Sequence, residues 1–268
     1  MIEICLLGAC GRMGKRIAAA LAESADLHLR GAVESAGHPA LGKDIGELAG
    51  VQALGVSVSD QPGAALEGCA VAIDFSLPES VGRTAGLCAA KGVALVTGVT
   101  GIAQPVSDKL KEAAEKVAVV WAPNMSVGVN LMFKVAAEVA GVLGGDFDVE
   151  IVETHHRLKR DAPSGTAKRL AEVIADSLGR KLADVACYGR QGITGERDPA
   201  QIAIHAVRSG DVVGEHTVIF GGLGERFEIT HRAHSRDTFA RGALVAARFA
   251  SRARPGLYDM QDVLGLKD

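Results

Sequence analysis

Ile4-Cys5-Leu6-Leu7-Gly8-Ala9-Cys10-Gly11-Arg12-Met13-Gly14 is the stretch that decides the fold. A short apolar run reads as a buried strand, and it turns through glycines into a helix. Gly8 permits the tight turn, Gly11 lets backbone N–H groups approach a pyrophosphate, and Gly14 lets the helix pack close to the strand. The helix N-terminus then offers donors and partial positive charge to an anion. A glycine motif alone also describes an ordinary strand-to-helix turn. Here a strand precedes it, a helix follows it, and Glu34 ends a second strand about twenty residues on, where a carboxylate would accept from the adenosine ribose hydroxyls. Gly8, Ala9, Cys10, Gly11, Arg12, Met13 and Glu34 are therefore the expected cofactor contacts. Within that loop Cys10 reads as a small tolerated side chain.

Working outward, strand and helix patterns alternate through the first half. Ile2–Leu7, Leu27–Val33, Val71–Asp74, Val93–Thr97 and Val117–Trp121 read as strands, and Arg12–Ala22 and a segment near Pro105–Lys116 as helices. Such alternation predicts a parallel sheet covered on both faces. Ser76-Leu77-Pro78-Glu79 looks like a capping box with proline in the first turn. Residues 35–66 are punctuated by Gly and Pro, and only a short helix or loop near Leu41–Ala49 is expected there.

The pattern changes after Asn124. Val127–Leu143 reads as a long helix, Asp148–Glu153 as a strand and Thr166–Leu178 as a helix. Gln201–Val207, Glu215–Phe220 and Arg226–His231 follow as strands joined by short turns, which predicts antiparallel pairing. Arg236–Arg252 returns to a helical pattern. The expected fold class is α/β: a Rossmann-like, doubly wound parallel sheet domain plus a smaller α+β domain with a mostly antiparallel sheet. Residues 1–126, completed by the C-terminal segment 236–268, form the dinucleotide-binding domain. Residues 127–235 form a substrate-binding and oligomerisation domain.

With 268 residues, 48% of them hydrophobic, the chain can bury full cores. The formal net charge is −3 and no basic block occurs, which argues against a nucleic-acid surface. No apolar run reaches the roughly 18 residues of a membrane span, and the first residues read as a strand rather than a targeting signal. Five cysteines without a C-x-x-C spacing argue against disulfides and structural zinc and fit a reducing cytoplasm.

The second chemical stretch is Glu153-Thr154-His155-His156-Arg157-Leu158-Lys159-Arg160-Asp161-Ala162-Pro163-Ser164-Gly165-Thr166. An imidazole with a reference pKa near 6.5 exchanges a proton near neutrality. Lys159 adds a cation, and Ser164-Gly165-Thr166 opens a helix whose N–H groups and Thr hydroxyl suit a carboxylate. A general acid, cationic support and a carboxylate pocket together suit a small anion that receives a proton as hydride arrives. A solvated basic turn is the bland alternative for this stretch alone. Adjacent histidines on a strand point to opposite faces and no further ligand spacing completes a site, so no metal is expected. His205, His216, His231 and His234 read as structural or interfacial.

These residues resemble the dihydrodipicolinate reductase (4-hydroxy-tetrahydrodipicolinate reductase) family of bacterial and plant lysine biosynthesis, over essentially the whole chain. The family's E-x-H-H-x-x-K-x-D-x-P-S-G-T signature is matched by Glu153, His155, His156, Lys159, Asp161, Pro163, Ser164, Gly165 and Thr166, and its G-x-x-G-R-M-G loop by Gly8 through Gly14. Its G-x-T-G loop appears as Gly98-Val99-Thr100-Gly101, and its A-P-N-x-S-x-G-V-N run as Ala122 through Asn130. The later Gly224-Glu225-Arg226-Phe227-Glu228-Ile229-Thr230-His231 is similar too. The resemblance implies NAD(P)H-dependent reduction of 4-hydroxy-tetrahydrodipicolinate to tetrahydrodipicolinate, with loss of water and hydride to C4 of the cyclic imine, in lysine and diaminopimelate biosynthesis. It implies His155 as proton donor or acceptor, Lys159 as proton donor, and His156, Gly165 and Thr166 on a substrate carboxylate. Gly98, Val99, Thr100, Ala122, Pro123, Asn124 and Met125 would lie near the nicotinamide half, and Phe75 could pack on the cofactor. A cytoplasmic homotetramer, joined through the second domain's sheet and closing on substrate, is also implied.

Two departures stand out. Val99 replaces a Thr common in the family, and Ser35 stands where NADPH-preferring members tend to carry Arg. Glu34 repels a 2′-phosphate and so favours NADH. Arg12, Lys15 and Arg16 offer cations to that phosphate, which leaves NADPH use open. Two other readings compete: a dinucleotide sensor without turnover, and another two-domain dehydrogenase. A sensor predicts loss of the proton donor, yet His155 and Lys159 are present. An acylating semialdehyde dehydrogenase needs a Cys nucleophile in the second domain, where Cys187 lies in no nucleophile motif.

Overall fold

A computed structural model describes residues 1–267 and divides the chain into two compact units. Met1–Val127 and the segment from Arg236 onward form the first, and Gly128–Ser235 the second. Asp268, the last residue of the expected C-terminal segment, lies outside the described residues.

The first unit begins β1 (Ile2–Leu7), α1 (Arg12–Ala22), β2 (Leu27–Val33), α2 (Ile45–Ala49), β3 (Val58–Ser59), α3 (Pro62–Ala65) and β4 (Val71–Asp74). It continues α4 (Pro78–Lys91), β5 (Ala94–Thr97), α5 (Gln104–Ala114) and β6 (Ala118–Trp121). α6 (Val127–Leu143) then leads into the second unit: β7 (Asp148–His155), α7 (Gly165–Ser177), α8 (Leu182–Val185), β8 (Ala186–Cys187), β9 (Ile202–Arg208), β10 (Gly214–Gly221) and β11 (Arg226–Ala233). α9 (Asp237–Ala250), β12 (Gly256–Tyr258) and α10 (Met260–Val263) return to the first.

Seven parallel strands in the order β12-β6-β5-β4-β1-β2-β3 form the first sheet. Its strands are apolar on both faces, as burial on both sides requires. Ile4, Leu6, Ile73, Val96 and Val120 face one core, shared with Ile17 and Leu21 of α1 and Ala240, Ala243 and Ala247 of α9. Cys5, Leu7, Ala72, Leu95 and Val119 face the other, with Val81, Ala85 and Cys88 of α4 and Leu110 of α5. The period-2 alternation of each strand thus fills two cores at once. Arg248 on α9 clasps Asp26 at 2.8 and 2.7 Å, and Arg16 on α1 pairs with Asp237.

The second sheet has the order β11-β10-β7-β9-β8. β10 pairs antiparallel with β7 and β11, whereas β9 runs parallel to β7 and β8. β9 and β10 are consecutive in sequence, but β7 lies between them, so their short connection is not a hairpin. Short turns favour pairing of neighbours, yet β7 offers both edges and takes one strand on each. Val149 and Ile151 of β7 join Met132, Phe133 and Ala136 of α6 and Leu170 and Ile174 of α7 in a third core. Glu153 falls on that same buried row.

Two local expectations change. Ser76 does not cap α4; Leu77 holds the N-cap position without a side-chain bond, because Ser76 N–H and Oγ are both engaged by Asp74 Oδ1. Pro78 still occupies the first helical turn, where its missing N–H is harmless. The segment Val127–Asp146 is long and apolar enough to cross a membrane by length and composition, despite Lys134 and Glu138. One side of it supplies the third core.

Candidate active site

β1 and β4 are neighbours, and the chain winds outward from them in opposite directions, β1-β2-β3 one way and β4-β5-β6 the other. The carboxyl ends at such a switch point are where open α/β sheets bind ligands. Gly8 follows β1 with φ +70°, a left-handed conformation, and a Cβ there would stand 2.7 Å from the Phe75 carbonyl oxygen. Only glycine fits both demands. A Cβ on Gly14 would collide with the Gly8 carbonyl oxygen, so the missing side chain lets α1 rest directly on the turn. Gly11 is the N-cap of α1, and no side chain caps that helix. Ala9 is buried, and Arg12 is exposed beside it.

Glu34 leaves the end of β2 and turns its carboxylate to the loop. Its Oε2 accepts from the Cys10 N–H at 3.1 Å, and its Oε1 from its neighbour Ser35 N–H at 2.9 Å. Each oxygen keeps lone-pair capacity for a further donor. A bare glycine turn, an uncapped helix start and an oriented acceptor fit a dinucleotide's pyrophosphate and ribose.

Phe75 follows β4 and Gly98 follows β5, and a Cβ on Gly98 would run into the Phe75 ring. The ring therefore stands at the floor of the Gly98-Val99-Thr100 loop. Val99 is buried, and its N–H meets Thr97 Oγ1 at 3.3 Å, so any ligand contact from it comes through the backbone. Ala122 and Met125 are buried too, with Met125 in the first core, while Asn124 Oδ1 accepts the Ser126 N–H at 2.9 Å. Pro123 is exposed. Asp74 is fully buried, and burial pushes its carboxyl upward; its Oδ1 accepts from the Ser76 N–H and hydroxyl.

In the second unit, Glu153 has no exposed surface and binds four donors. Arg208 reaches both oxygens at 2.8 and 2.9 Å, His155 Nδ1 lies 2.6 Å from Oε2, and the Ser164 N–H donates to Oε1 at 3.0 Å. Burial alone pushes the Glu153 carboxyl up, but these donors outweigh it and hold it below the usual carboxylate range. Ser164 N-caps α7, accepting from Ala167 N–H at 3.2 Å, and its Oγ lies 3.1 Å from His216 Nε2. One carboxylate thus ties the His155 ring to the start of α7.

His155 ends β7 with its ring edge-on to His216, centroids 5.2 Å apart. Burial lowers its pKa, Glu153 opposes that, and Lys159 and Arg208 add to the lowering. His216 is buried and pushed down to about 3, so it stays neutral near pH 7. With Nδ1 on Glu153, the other nitrogen of His155 is the one left for chemistry. A Cβ on Gly214 would come within 3.1 Å of that Nε2. Lys159 Nζ pairs with Asp161 Oδ1 at 2.9 Å, and Arg208 also donates to the Asp161 carbonyl at 2.6 Å. His156 Nδ1 is buried without a partner among the described residues. A Cβ on Gly165 would meet nothing within 4 Å, so packing does not demand glycine there, and the backbone at the head of α7 is open to approach. Thr166 follows in the first turn.

Sequence comparison matches "Dihydrodipicolinate reductase, N-terminus" over residues 2–125 and "Dihydrodipicolinate reductase, C-terminus" over 128–264. The chain belongs to the dihydrodipicolinate reductase family. A 4-hydroxy-tetrahydrodipicolinate reductase from Citrifermentans bemidjiense is 52% identical over 267 residues, covering 100% of both chains. One from Anaeromyxobacter dehalogenans is 56% identical, covering 100% of this chain and 99% of the relative. A dipicolinate-bound dihydrodipicolinate reductase from a Paenisporosarcina species superposes with a TM-score of 0.78 at 26% identity, covering 97% of each chain. As a member of the dihydrodipicolinate reductase family, the chain is an NAD(P)H-dependent oxidoreductase of lysine and diaminopimelate biosynthesis, with 4-hydroxy-tetrahydrodipicolinate reductase activity.

For this reductase, sequence reasoning left Arg208, Gly214 and Asp74 without a role and read His216 as structural or interfacial, where the structure sets it against Ser164 and the His155 ring. Arg208 lies 55 positions from Glu153, and only the parallel β7–β9 pairing brings it there. Glu153 was legible as a signature letter, and a carboxylate on the buried side of an apolar alternation was the available clue.

Proposed function

We propose that His155, held by Glu153, manages the proton of the reduction while Lys159 supplies a second proton source and cationic support. The supporting observation is the four-donor knot on Glu153, which orients the His155 ring and the head of α7 together. His156, Gly165 and Thr166 bind a carboxylate of the cyclic dicarboxylate, with the N-terminus of α7 supplying amides and partial positive charge. A bound reduced nicotinamide would supply hydride to C4 of the conjugated imine left when the 4-hydroxyl departs as water, and a proton delivered to the neighbouring carbon completes the reduction. Gly8, Ala9, Cys10, Gly11, Arg12 and Met13 hold the cofactor's pyrophosphate, Glu34 its adenosine ribose, and Gly98–Thr100 with Ala122–Met125 its nicotinamide half. Residues 1–126 with 236–268 serve dinucleotide binding, and residues 127–235 substrate binding and assembly.

Glu34 and Ser35 give NADH preference, because a carboxylate repels a 2′-phosphate and no cation stands at position 35. Assembly is homotetrameric through the second sheet, whose strand β11 leaves Phe227 49% exposed, and the compartment is the cytoplasm, where five free thiols stay reduced.

The test is steady-state oxidation of NADH and NADPH, with substrate made in situ from pyruvate and aspartate semialdehyde by a synthase. His155→Gln should lower kcat by roughly 10²–10⁴-fold, the span of general acid–base catalysis, with NADH affinity within about twofold. An equal loss of both contradicts the assignment. For the wild type, kcat/KM should fall as pH rises through a pKa below the ordinary histidine value, because burial favours neutral His155 in the free enzyme. The break in kcat should lie at higher pH, since a dianionic ligand favours the imidazolium. A profile lacking the first break removes His155 as the acid.

A further inference from the structure

A soft thiol, a borderline imidazole and a hard carboxylate meet beside the glycine loop. Cys10 Sγ, a Glu34 carboxylate oxygen and a His38 ring nitrogen all lie within 4.8 Å of one another, and all three residues are half-buried. Spacing in the sequence does not suggest a ligand set, because Cys10 follows β1 while Glu34 and His38 follow β2. The β1–β2 pairing brings them together.

We propose that this triad binds a borderline-soft divalent cation of the Zn²⁺ type, and that the metal and the dinucleotide exclude one another. Thiolate, imidazole and carboxylate with one water form an ordinary tetrahedral zinc set. Bond lengths near 2.0–2.3 Å put tetrahedral donors roughly 3.3–3.6 Å apart, so a modest side-chain rotation closes the triad. The Cys10 thiolate and Glu34 carboxylate cancel the cation's two charges, and the thiol proton leaves to solvent. Glu34 is already oriented by the Cys10 and Ser35 amides at 3.1 and 2.9 Å, and ligating carboxylates are characteristically held this way. His38 is seated by its own backbone, its N–H on Ser35 O at 3.2 Å and its O accepting Leu41 N–H at 3.1 Å. Its Nδ1 accepts the Ala40 N–H at 3.2 Å, which holds the ring in place. Lys15 opposes the cation, which sets the site toward reversible rather than structural binding.

The exclusion rests on the dinucleotide reading above; the metal site does not. Ligation takes from Glu34 one of the two oxygens that a ribose diol would use and neutralises its charge, and Cys10 belongs to the loop that takes the pyrophosphate. Zinc at ten times its own dissociation constant should therefore raise the apparent NADH dissociation constant about elevenfold.

The test titrates the full chain with Co²⁺ by absorbance and with Zn²⁺ by calorimetry, in a non-chelating buffer, with and without NADH. One cobalt per chain should give a near-ultraviolet thiolate charge-transfer band that Cys10→Ala abolishes. His38→Ala should weaken metal binding by at least about tenfold, as loss of a direct ligand exceeds loss of an outer partner. The same variant should leave metal-free NADH affinity within twofold. No thiolate band, a band surviving Cys10→Ala, or unchanged affinity in His38→Ala overturns the site. Metal binding as described with NADH affinity unmoved by zinc overturns the exclusion. Metal binding as described in a chain that does not bind NADH keeps the site and rejects the dinucleotide reading instead.

Discussion

At the glycine loop the chain withholds side chains, and at the end of β7 it crowds them. Gly8 and Gly14 work by lacking a Cβ, and the buried Val99 can contribute only backbone. Around Glu153 the parts are all side chains or caps: two oxygens of one buried carboxylate, a guanidinium, an imidazole and a helix-start amide. A backbone site tolerates varied side chains wherever the main-chain path is kept, which is why Cys10 and Val99 are accommodated. A side-chain knot tolerates little, since each member satisfies another's buried charge or lone pair. The two regions should therefore break differently.

The largest effect is expected from Glu153→Gln. The amide keeps the shape but leaves Arg208 without its anion and turns one of the two accepting oxygens, the one facing His155 or the one facing the Ser164 N–H, into a donor. Stability should drop by about 3 kcal/mol, the low end for breaking a buried ion pair, because Arg208 keeps 21% side-chain exposure. Turnover should fall at least as far as in His155→Gln, while NADH affinity holds. Urea melts with NADH titration would check it, and an equal loss of cofactor affinity would erase the contrast between the regions.

An intermediate effect is expected from Gly8→Ala. A left-handed φ of +70° and a contact of 2.7 Å add strain of about 1–2 kcal/mol to overpacking of about 1–3 kcal/mol. NADH affinity should fall more than tenfold while the Glu153 knot of the second unit is spared. Ligand titration by fluorescence reads this directly, and a Gly8→Ala protein with normal affinity would mean the loop's path matters little.

The smallest effect is expected from Glu34→Arg, which exchanges one acceptor for a cation on an otherwise intact loop. The ratio of NADPH to NADH efficiency should rise by roughly ten- to a hundredfold, with the better of the two rates changing little; a fold of discrimination corresponds to about 1.4 kcal/mol per factor of ten. An unaltered ratio would take Glu34 away from the ribose.

The strands of the first sheet were legible because each alternates between two apolar faces, and β1, α1, β2 and α6 have the bounds the pattern suggests. Within residues 35–66 only the short helix near Leu41–Ala49 was legible, seen as α2; β3 is only Val58–Ser59 and α3 only Pro62–Ala65, too short for any periodicity to show. The neighbours of β9 were not legible either. A strand's existence is written in its own residues, but its partners are chosen by the whole sheet, and β7 rather than β10 lies beside β9. The same limit applies to Arg208, whose partner is decided by that pairing.

The first sheet is finished by the end of the chain. α9 contributes Ala240, Ala243, Leu244 and Ala247 to the first core, and β12 pairs with β6 and covers its outer edge. A ribosome releasing this chain therefore makes the contiguous unit, Gly128–Ser235, before the discontinuous one can close. During that interval β6 presents bare ladder groups and the alanine-lined face of the sheet stands wet, the conditions under which nascent chains join one another or engage a chaperone. The order of synthesis thus makes the first unit the last to mature, although its glycine turn is translated before any residue of the second.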